Sequence, residues 1–334
     1  MIGSSGVEVE RKVIAILRVL DESPDSAIGA RVIARQLKTH HGIDLSERAV
    51  RYHLKLMDER GLTQAVGRDG RVITPAGVDE LRNALVADKV GIVINRIELL
   101  AFRTTFDWET RKGLLPINIS LFSGKQFPRA LKAMGAAFKA GICVSDLVAI
   151  AEEGQSLGDK VIPPGKVGFG TVCSIVINGA LLKARIPTDS RFGGILQIRD
   201  YRPLRFVELI SYSGTSLDPS EIFIRGKMSR VNDAANTGEG KVMANFREIP
   251  AQCRPVADDV MSRLKQARIG GLVTMGNTGE PVCETPVEQN RVGVVLFGGM
   301  NPVAAAEEAG IEADNTAMST VVDYRELQSY WDLS

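Results

Sequence analysis

The chain has 334 residues, is 44% hydrophobic and carries a formal net charge of +1. That length calls for two or three domains, and a charge so near zero excludes long-range attraction to nucleic acid or membrane, so any such partner must meet a local patch. The only histidines are His40, His41 and His53, which excludes a histidine-dependent triad or a histidine-ligated metal from everything after residue 53.

Cys143, Cys173, Cys253 and Cys283 are scattered without a CxxC pair, the pattern of reduced thiols. No apolar run reaches the roughly 20 residues of a membrane span. The opening MIGSSGVEVERK lacks an apolar signal core, so a cytoplasmic protein with no membrane partner is expected.

In chain order, Val9, Val13, Ile16, Leu17 and Leu20 recur at helical spacing and predict a first amphipathic helix. Ser26 is the expected cap of a second, whose apolar stripe is Ile28, Val32, Ile33 and Leu37. Gly42 supplies the left-handed residue that ends it. A third helix starts behind Ser46, with Val50, Leu54 and Met57 inward and Arg48, Arg51, Tyr52 and Lys55 on the opposite side. LTQAV and RVIT, joined by Gly67-Arg68-Asp69-Gly70, read as a hairpin, and Pro75 opens a fourth helix. A basic helix face is by itself only a solvated surface. Followed by a hairpin carrying Arg68 and Arg71, it completes the order of a winged helix-turn-helix, whose third helix enters a major groove while the wing reaches phosphates. A protein-binding winged helix is the remaining rival. The DNA-contact candidates are Ser46, Arg48, Arg51, Tyr52, Lys55, Arg68 and Arg71.

The rest repeats itself. Residues 147–168 align without gaps on 272–293, DYRPL at 200–204 answers DYREL at 323–327, and GLLPIN at 113–118 echoes GKVMAN at 240–245. Each copy alternates strand-like and helix-like runs, so the expected class is a multidomain α+β or α/β chain: a winged helix-turn-helix at 1–88, then a duplicated regulatory region with copies at 89–217 and 218–334, related by a pseudo-twofold axis. Glycine-rich strand-to-helix turns occur in both copies, at GTVCS and at GGMNP. Such turns present free backbone N–H groups to an anion, although glycine also serves tight turn geometry alone. PTDSRFGG, 187–194, reads as a loop in which Arg191 either grips a carboxylate or clasps Asp189.

GARVIARQL, LSERAVRYHLKLMDERGL and GRVITPAGVDEL resemble the winged helix of the NrpR-type nitrogen regulators. RTTFDWETRKG, IPTDSRFGGILQIRDYRPLRF, GTSLDPSEIFI and NFREIPA resemble their regulatory domain. The resemblance runs from about residue 10 to 330. It implies a dimeric repressor of nitrogen-assimilation genes, with 2-oxoglutarate as the inducer that weakens operator binding. Two-fold symmetry makes the expected operator palindromic, and a nitrogen-signalling protein is a further candidate partner. Neither cofactor nor metal is expected. The segments GTVCS, NGALL, TDSRFGG and GGMNP match the family pattern and place the effector candidates at Cys173, Ser174, Asn178, Asp189, Arg191, Gly298, Gly299 and Asn301. In that arrangement Arg191 clamps one carboxylate, Ser174 and Asn178 donate to the keto end, and the backbone of Gly298 and Gly299 meets the other carboxylate. The competing class is a small-acid-metabolising enzyme fused to a winged helix, with Cys173-Ser174 as its best nucleophile and no histidine to activate it. A protein-interaction scaffold is the third.

Overall fold

A computed structural model describes residues 4–22, 27–67, 70–83 and 91–333. It divides into two compact units, Met1–Lys89 and Val90–Ser334.

The first unit runs α1 (Ser4–Asp21), α2 (Ala30–His41), α3 (Glu47–Glu59), β1 (Thr63–Val66), β2 (Gly70–Ile73) and α4 (Pro75–Arg82). Its core joins Val13, Ile16, Leu17 and Leu20 of α1 to Ile33 and Leu37 of α2 and Val50, Leu54 and Met57 of α3. The caps follow local chemistry. Ser46 accepts a hydrogen bond from Ala49 N, Thr74 accepts one from Gly77 N behind Pro75, and Gly42 ends α2 at φ 65°. The expected start of α2 is corrected: it opens at Ala30 behind Gly29, and Ser26 lies outside the described residues. Ile28 belongs not to that helix but to a bridge with Arg71, which ties the hairpin to the segment before α2, while Val32 faces solvent.

The second unit opens with α5 (Ile92–Arg103). Then come β3 (Leu114–Ser123), α6 (Phe127–Lys139), β4 (Leu147–Ala151), a small ribbon of β5 (Ser156–Leu157) and β6 (Lys160–Val161), β7 (Lys166–Val172), α7 (Ile175–Lys183), β8 (Asp189–Arg199) and β9 (Arg202–Ser211). Two short helices follow, α8 (Pro219–Arg225) and α9 (Val231–Thr237). The order strand, helix, two strands, helix, strand then recurs as β10 (Gly240–Pro250), α10 (Arg254–Gln266), β11 (Leu272–Thr278), β12 (Arg291–Phe297), α11 (Asn301–Glu308) and β13 (Ala313–Asp323), ending in β14 (Gln328–Ser329).

The two sets of elements do not pack as side-by-side halves. One five-stranded antiparallel sheet has the order β13-β3-β7-β4-β14 and the other β11-β12-β10-β8-β9. The long last strand of each set therefore pairs with the first strand of the other: β8 runs along β10, and β13 along β3. The hydrophobic core is shared in the same way, with Ile117, Ile119, Val176 and Ala180 packing in one cluster with Ile249, Val260, Leu264, Val294 and Leu296. At the chain end, Tyr330 stacks on Phe138 of α6 with ring centroids 4.1 Å apart and donates its hydroxyl to Leu131 O.

Because β3 and β10 each find an outer partner only across this exchange, a fragment of residues 90–217 should not fold by itself. It would leave β3 without β13, and β8 and β9 without β10, and would expose Phe138 by loss of Tyr330. Residues 90–334 should unfold cooperatively. Circular dichroism melts and amide NMR dispersion decide this, and a dispersed, cooperatively melting 90–217 fragment would contradict the exchanged-strand account.

Candidate functional site

Two surfaces carry the candidate residues. On α3, packing of Val50, His53, Leu54 and Met57 fixes the helix orientation and leaves Arg48, Arg51, Tyr52 and Lys55 exposed. Tyr52 is 62% exposed, its ring meeting His53 edge-on with centroids 5.6 Å apart. Arg51 Nε lies 3.2 Å from Glu47 Oε1, an exposed pair one helical turn apart and cheap to break. Burial, aided by the charge of Lys12, pushes the pKa of His53 down, so it stays neutral in the core.

Arg71 has another task. Its Nε reaches Asp58 Oδ2 at 2.7 Å, and Asp58 also accepts from Thr63 Oγ1 at 2.6 Å. This half-buried pair holds the hairpin to the end of α3, so the structure gives Arg71, expected as a phosphate contact of the wing, a role within the fold. Arg68 lies outside the described residues.

In the second unit a cleft opens where the two sets of elements meet. It is lined by Asn118, Cys173, Ser174, Ile175 and Tyr212 of the first set, Asn245, Arg247, Gly298, Gly299, Met300, Ala317 and Met318 of the second, and Ile97, Asp218 and Ser220. Each strand-to-helix turn is tied to the first strand of its own set by an equivalent bond, Cys173 N to Pro116 O at 2.9 Å and Gly298 N to Met243 O at 2.8 Å. A side chain on Gly299 would place its Cβ 2.3 Å from Val172 O and 2.7 Å from Asn118 Nδ2, so only glycine lets the turns come this close. Asn118 and Asn245, the shared asparagines of the GLLPIN and GKVMAN echo, occupy matching places. Asn118 Oδ1 accepts from Met318 N at 3.0 Å, and Asn245 Oδ1 accepts from the Tyr212 hydroxyl.

The charged group at the centre is Arg247, 2% exposed on β10. Its Nη2 donates to Ser174 Oγ at 3.1 Å, as does Asn245 Nδ2. Its Nε and Nη1 are buried with no hydrogen-bond partner among the described residues. Burial pushes its pKa down, yet a guanidinium keeps its proton in proteins. A buried, charged fork with two idle donors is costly unless an anion completes it. Asp218, at the rim and the cap of α8 through Ser220 N, is raised to about 6 chiefly by burial, with Glu221 adding to the push. The space within is about 20 Å³, room for little more than one water.

The expected effector residues divide accordingly. Cys173, Ser174, Gly298 and Gly299 line the cleft, but the Gly298 N–H is already spent on Met243 O. Asn178 sits behind it, donating to Ser190 Oγ at 3.0 Å. Asn301 is fully buried and binds the Met243 backbone through both Oδ1 and Nδ2, a structural clasp rather than a ligand contact. Asp189 and Arg191 are not cleft residues. They begin strand β8 rather than a loop, and Arg191 Nη1 is held 3.0 Å from Asp189 Oδ2, 3.0 Å from Glu288 Oε1 and 3.7 Å from Glu248 Oε2. Three carboxylates surround this one guanidinium, whereas the cation that lines the cleft is Arg247. The sequence did hold a signal for Arg247: an arginine between Phe246 and Ile249 in a strand that reads as buried. The Cys173 thiol is pushed up to about 12 by burial, which leaves it protonated at neutral pH and a poor nucleophile. Among the described residues no cluster of three metal-ligating side chains occurs, and no helix is long and apolar enough to cross a membrane.

Known proteins share this architecture. The family model for NrpR regulatory domains NRD1 and 2 matches residues 90–329, and one for the winged-helix domain of ribonuclease R matches 14–81. The chain is 43% identical over 321 residues to the global nitrogen regulator NrpRI of Methanosarcina mazei, covering 96% of this chain and 98% of that protein. It is 32% identical to the global nitrogen regulator NrpR of Methanococcus maripaludis, covering 97% of this chain and 55% of that one. A crystal structure of a nitrogen repressor-like protein from Methanococcus jannaschii matches with a TM-score of 0.61 at 26% identity, covering 72% of this chain and 98% of that chain. With a winged helix ahead of a fully matched regulatory region, the chain belongs to the NrpR family of nitrogen regulators.

Proposed function

We propose that the protein is a cytoplasmic, homodimeric transcriptional repressor of nitrogen-assimilation genes, released from its operator by 2-oxoglutarate, and not an enzyme. The observation that carries the effector half is Arg247, a buried cation with two unpartnered donors in the cleft between the exchanged sets of strands. One carboxylate of the dianion completes its fork, while Ser174 and Asn245 offer polar contacts beside it. The cleft is too narrow for a five-carbon acid as it stands, so binding has to part the two turns. A ligand that prefers the parted arrangement shifts the protein toward it, and operator DNA must oppose the ligand by the same factor. The family supports the nitrogen regulon, and the exposed basic face of α3 supports DNA as the partner. A palindromic operator follows from two-fold symmetry.

Arg48, Arg51, Tyr52 and Lys55 then meet bases or adjacent phosphates, with Ser46 at the helix start. Arg51→Ala should weaken operator binding by about 1–3 kcal/mol if it reads a base. A mobility-shift titration in which the Arg48→Ala/Arg51→Ala double variant binds like the parent would remove α3 from the interface.

Calorimetry separates the two arginines. Arg247→Leu should abolish 2-oxoglutarate binding, whereas Arg191→Ala should leave affinity near the parent's. Without ligand, Arg247→Leu should melt no lower than the parent, because it deletes a buried charge whose donors are largely unpaired. Parental 2-oxoglutarate affinity in Arg247→Leu would defeat the cleft assignment.

Asp218 adds a pH dependence. Its folded pKa of about 6 lies above the unfolded carboxylate value of about 3.9. Ionisation therefore opposes the fold, and the stability it contributes, complete below about pH 4, is lost as pH rises through 6. The same charge repels a dianion. Affinity for 2-oxoglutarate should rise as pH falls from 7.5 to 5.5, by at most about tenfold per unit for one coupled proton. Asp218→Asn should flatten that profile, and an unchanged slope in the variant would show that Asp218 does not face the ligand.

A further inference from the structure

Helix α5 has two faces with different occupants. Val93, Ile97, Leu100 and Ala101 are buried, and Ile97 lines the effector cleft. On the outer face Leu99 is 46% and Phe102 77% exposed, beside the exposed Asn95, Glu98 and Arg103. α7, which packs against α5, adds Leu182, 50% exposed. A phenylalanine this open, next to a leucine and rimmed by charges, marks a docking face.

The spacing says what docks there. Ile92, Asn95, Leu99 and Phe102 fall at the a, d, a and d positions of a heptad, which makes Glu98 a g residue and Arg103 the e residue five positions on. Two copies paired in parallel bring Glu98 of each against Arg103 of the other. Antiparallel pairing would instead set Glu98 against Glu98 and Arg103 beside Arg96. The charges thus complement one another in the parallel arrangement alone.

We infer that a second copy of this chain docks on this face, α5 against α5, about a two-fold axis running along the helices. The inference rests on the dimeric repressor reading above and names its interface. A seam of 12 residues is about 18 Å long and too small to hold a dimer alone, so the adjoining surface around Leu182 takes part. The arrangement puts both amino ends of α5 on one side of the dimer. It also gives the effector a route: a ligand that parts the cleft presses on Ile97, and the helix that moves is the one at the dyad.

Sedimentation of the full chain tests this, with thermal melts to verify folding. The parent should be dimeric at 10 micromolar, taken as roughly the range where specific interfaces hold. Phe102→Glu should sediment as a monomer. Glu98→Arg and Arg103→Glu should each weaken dimerisation by about tenfold, since each turns two attractions into repulsions, and the double reversal should restore it. A monomeric parent, a dimeric Phe102→Glu, or a double reversal no tighter than the single ones overturns the proposal. If the double reversal dimerises but neither it nor the parent binds operator, the surface stands and the repressor reading falls.

Discussion

The regulatory unit depends on one constraint: neither first strand has an outer partner within its own set of elements. β3 needs β13 and β10 needs β8, and backbone groups left unpaired in a buried strand cost too much to leave unmet. Exchange of the long last strands satisfies both at once and joins the two sets through a common core. The junction is then fixed in place. The chain must cross from one sheet to the other beside the two strand-to-helix turns, and the cleft forms where those turns and the crossing strands converge.

That junction is also where the fold is least content. Most of the molecule follows the rule that a buried polar group is paired, and Asn118, Asn245 and Asn301 obey it in detail. Arg247 does not, with Nε and Nη1 idle. Each idle donor costs about 1–3 kcal/mol, and a leucine would fill the space without that cost. A protein that retains the charge under these conditions gains something from it when an anion is present. Under the proposed reading, the same cost would favour any anion that completes the fork.

The winged helix was nearly all legible, because apolar periodicity, a glycine at a left-handed cap and a proline at a first turn are local signals. The duplication was legible too, through aligned segments and the paired asparagines. The strand exchange was not, since partner choice between two similar sheets depends on pairings between strands far apart in the chain, such as Ile198 with Gly240 and Phe122 with Ala313, that no local pattern encodes. TDSRFGG misled for a related reason. Its glycines suggest a loop, but Gly193 and Gly194 sit in β8 where Pro219 and Phe206 press on the strand, and only the folded chain shows Arg191 surrounded by acids. Arg247 was hidden by its context in an apolar run, although that context was the clue. The pairing of Arg71 was also not legible, because Asp58 sits 13 residues away in another element.

Charge arithmetic links these parts. With a net charge of +1, the chain has no broad field to hold DNA, and one α3 face offers three cations besides Tyr52. A single winged helix with so few phosphate contacts binds weakly, and its affinity falls quickly with salt. In the proposed dimer, tight binding would come from two such helices held at the right separation, where the second contact is effectively intramolecular. A repressor built this way need not unfold, dissociate or block its DNA-reading surface to let go. In the proposed dimer, displacing α5 at the dyad would change how the halves meet, and the bivalent gain would be lost while each winged helix remains intact.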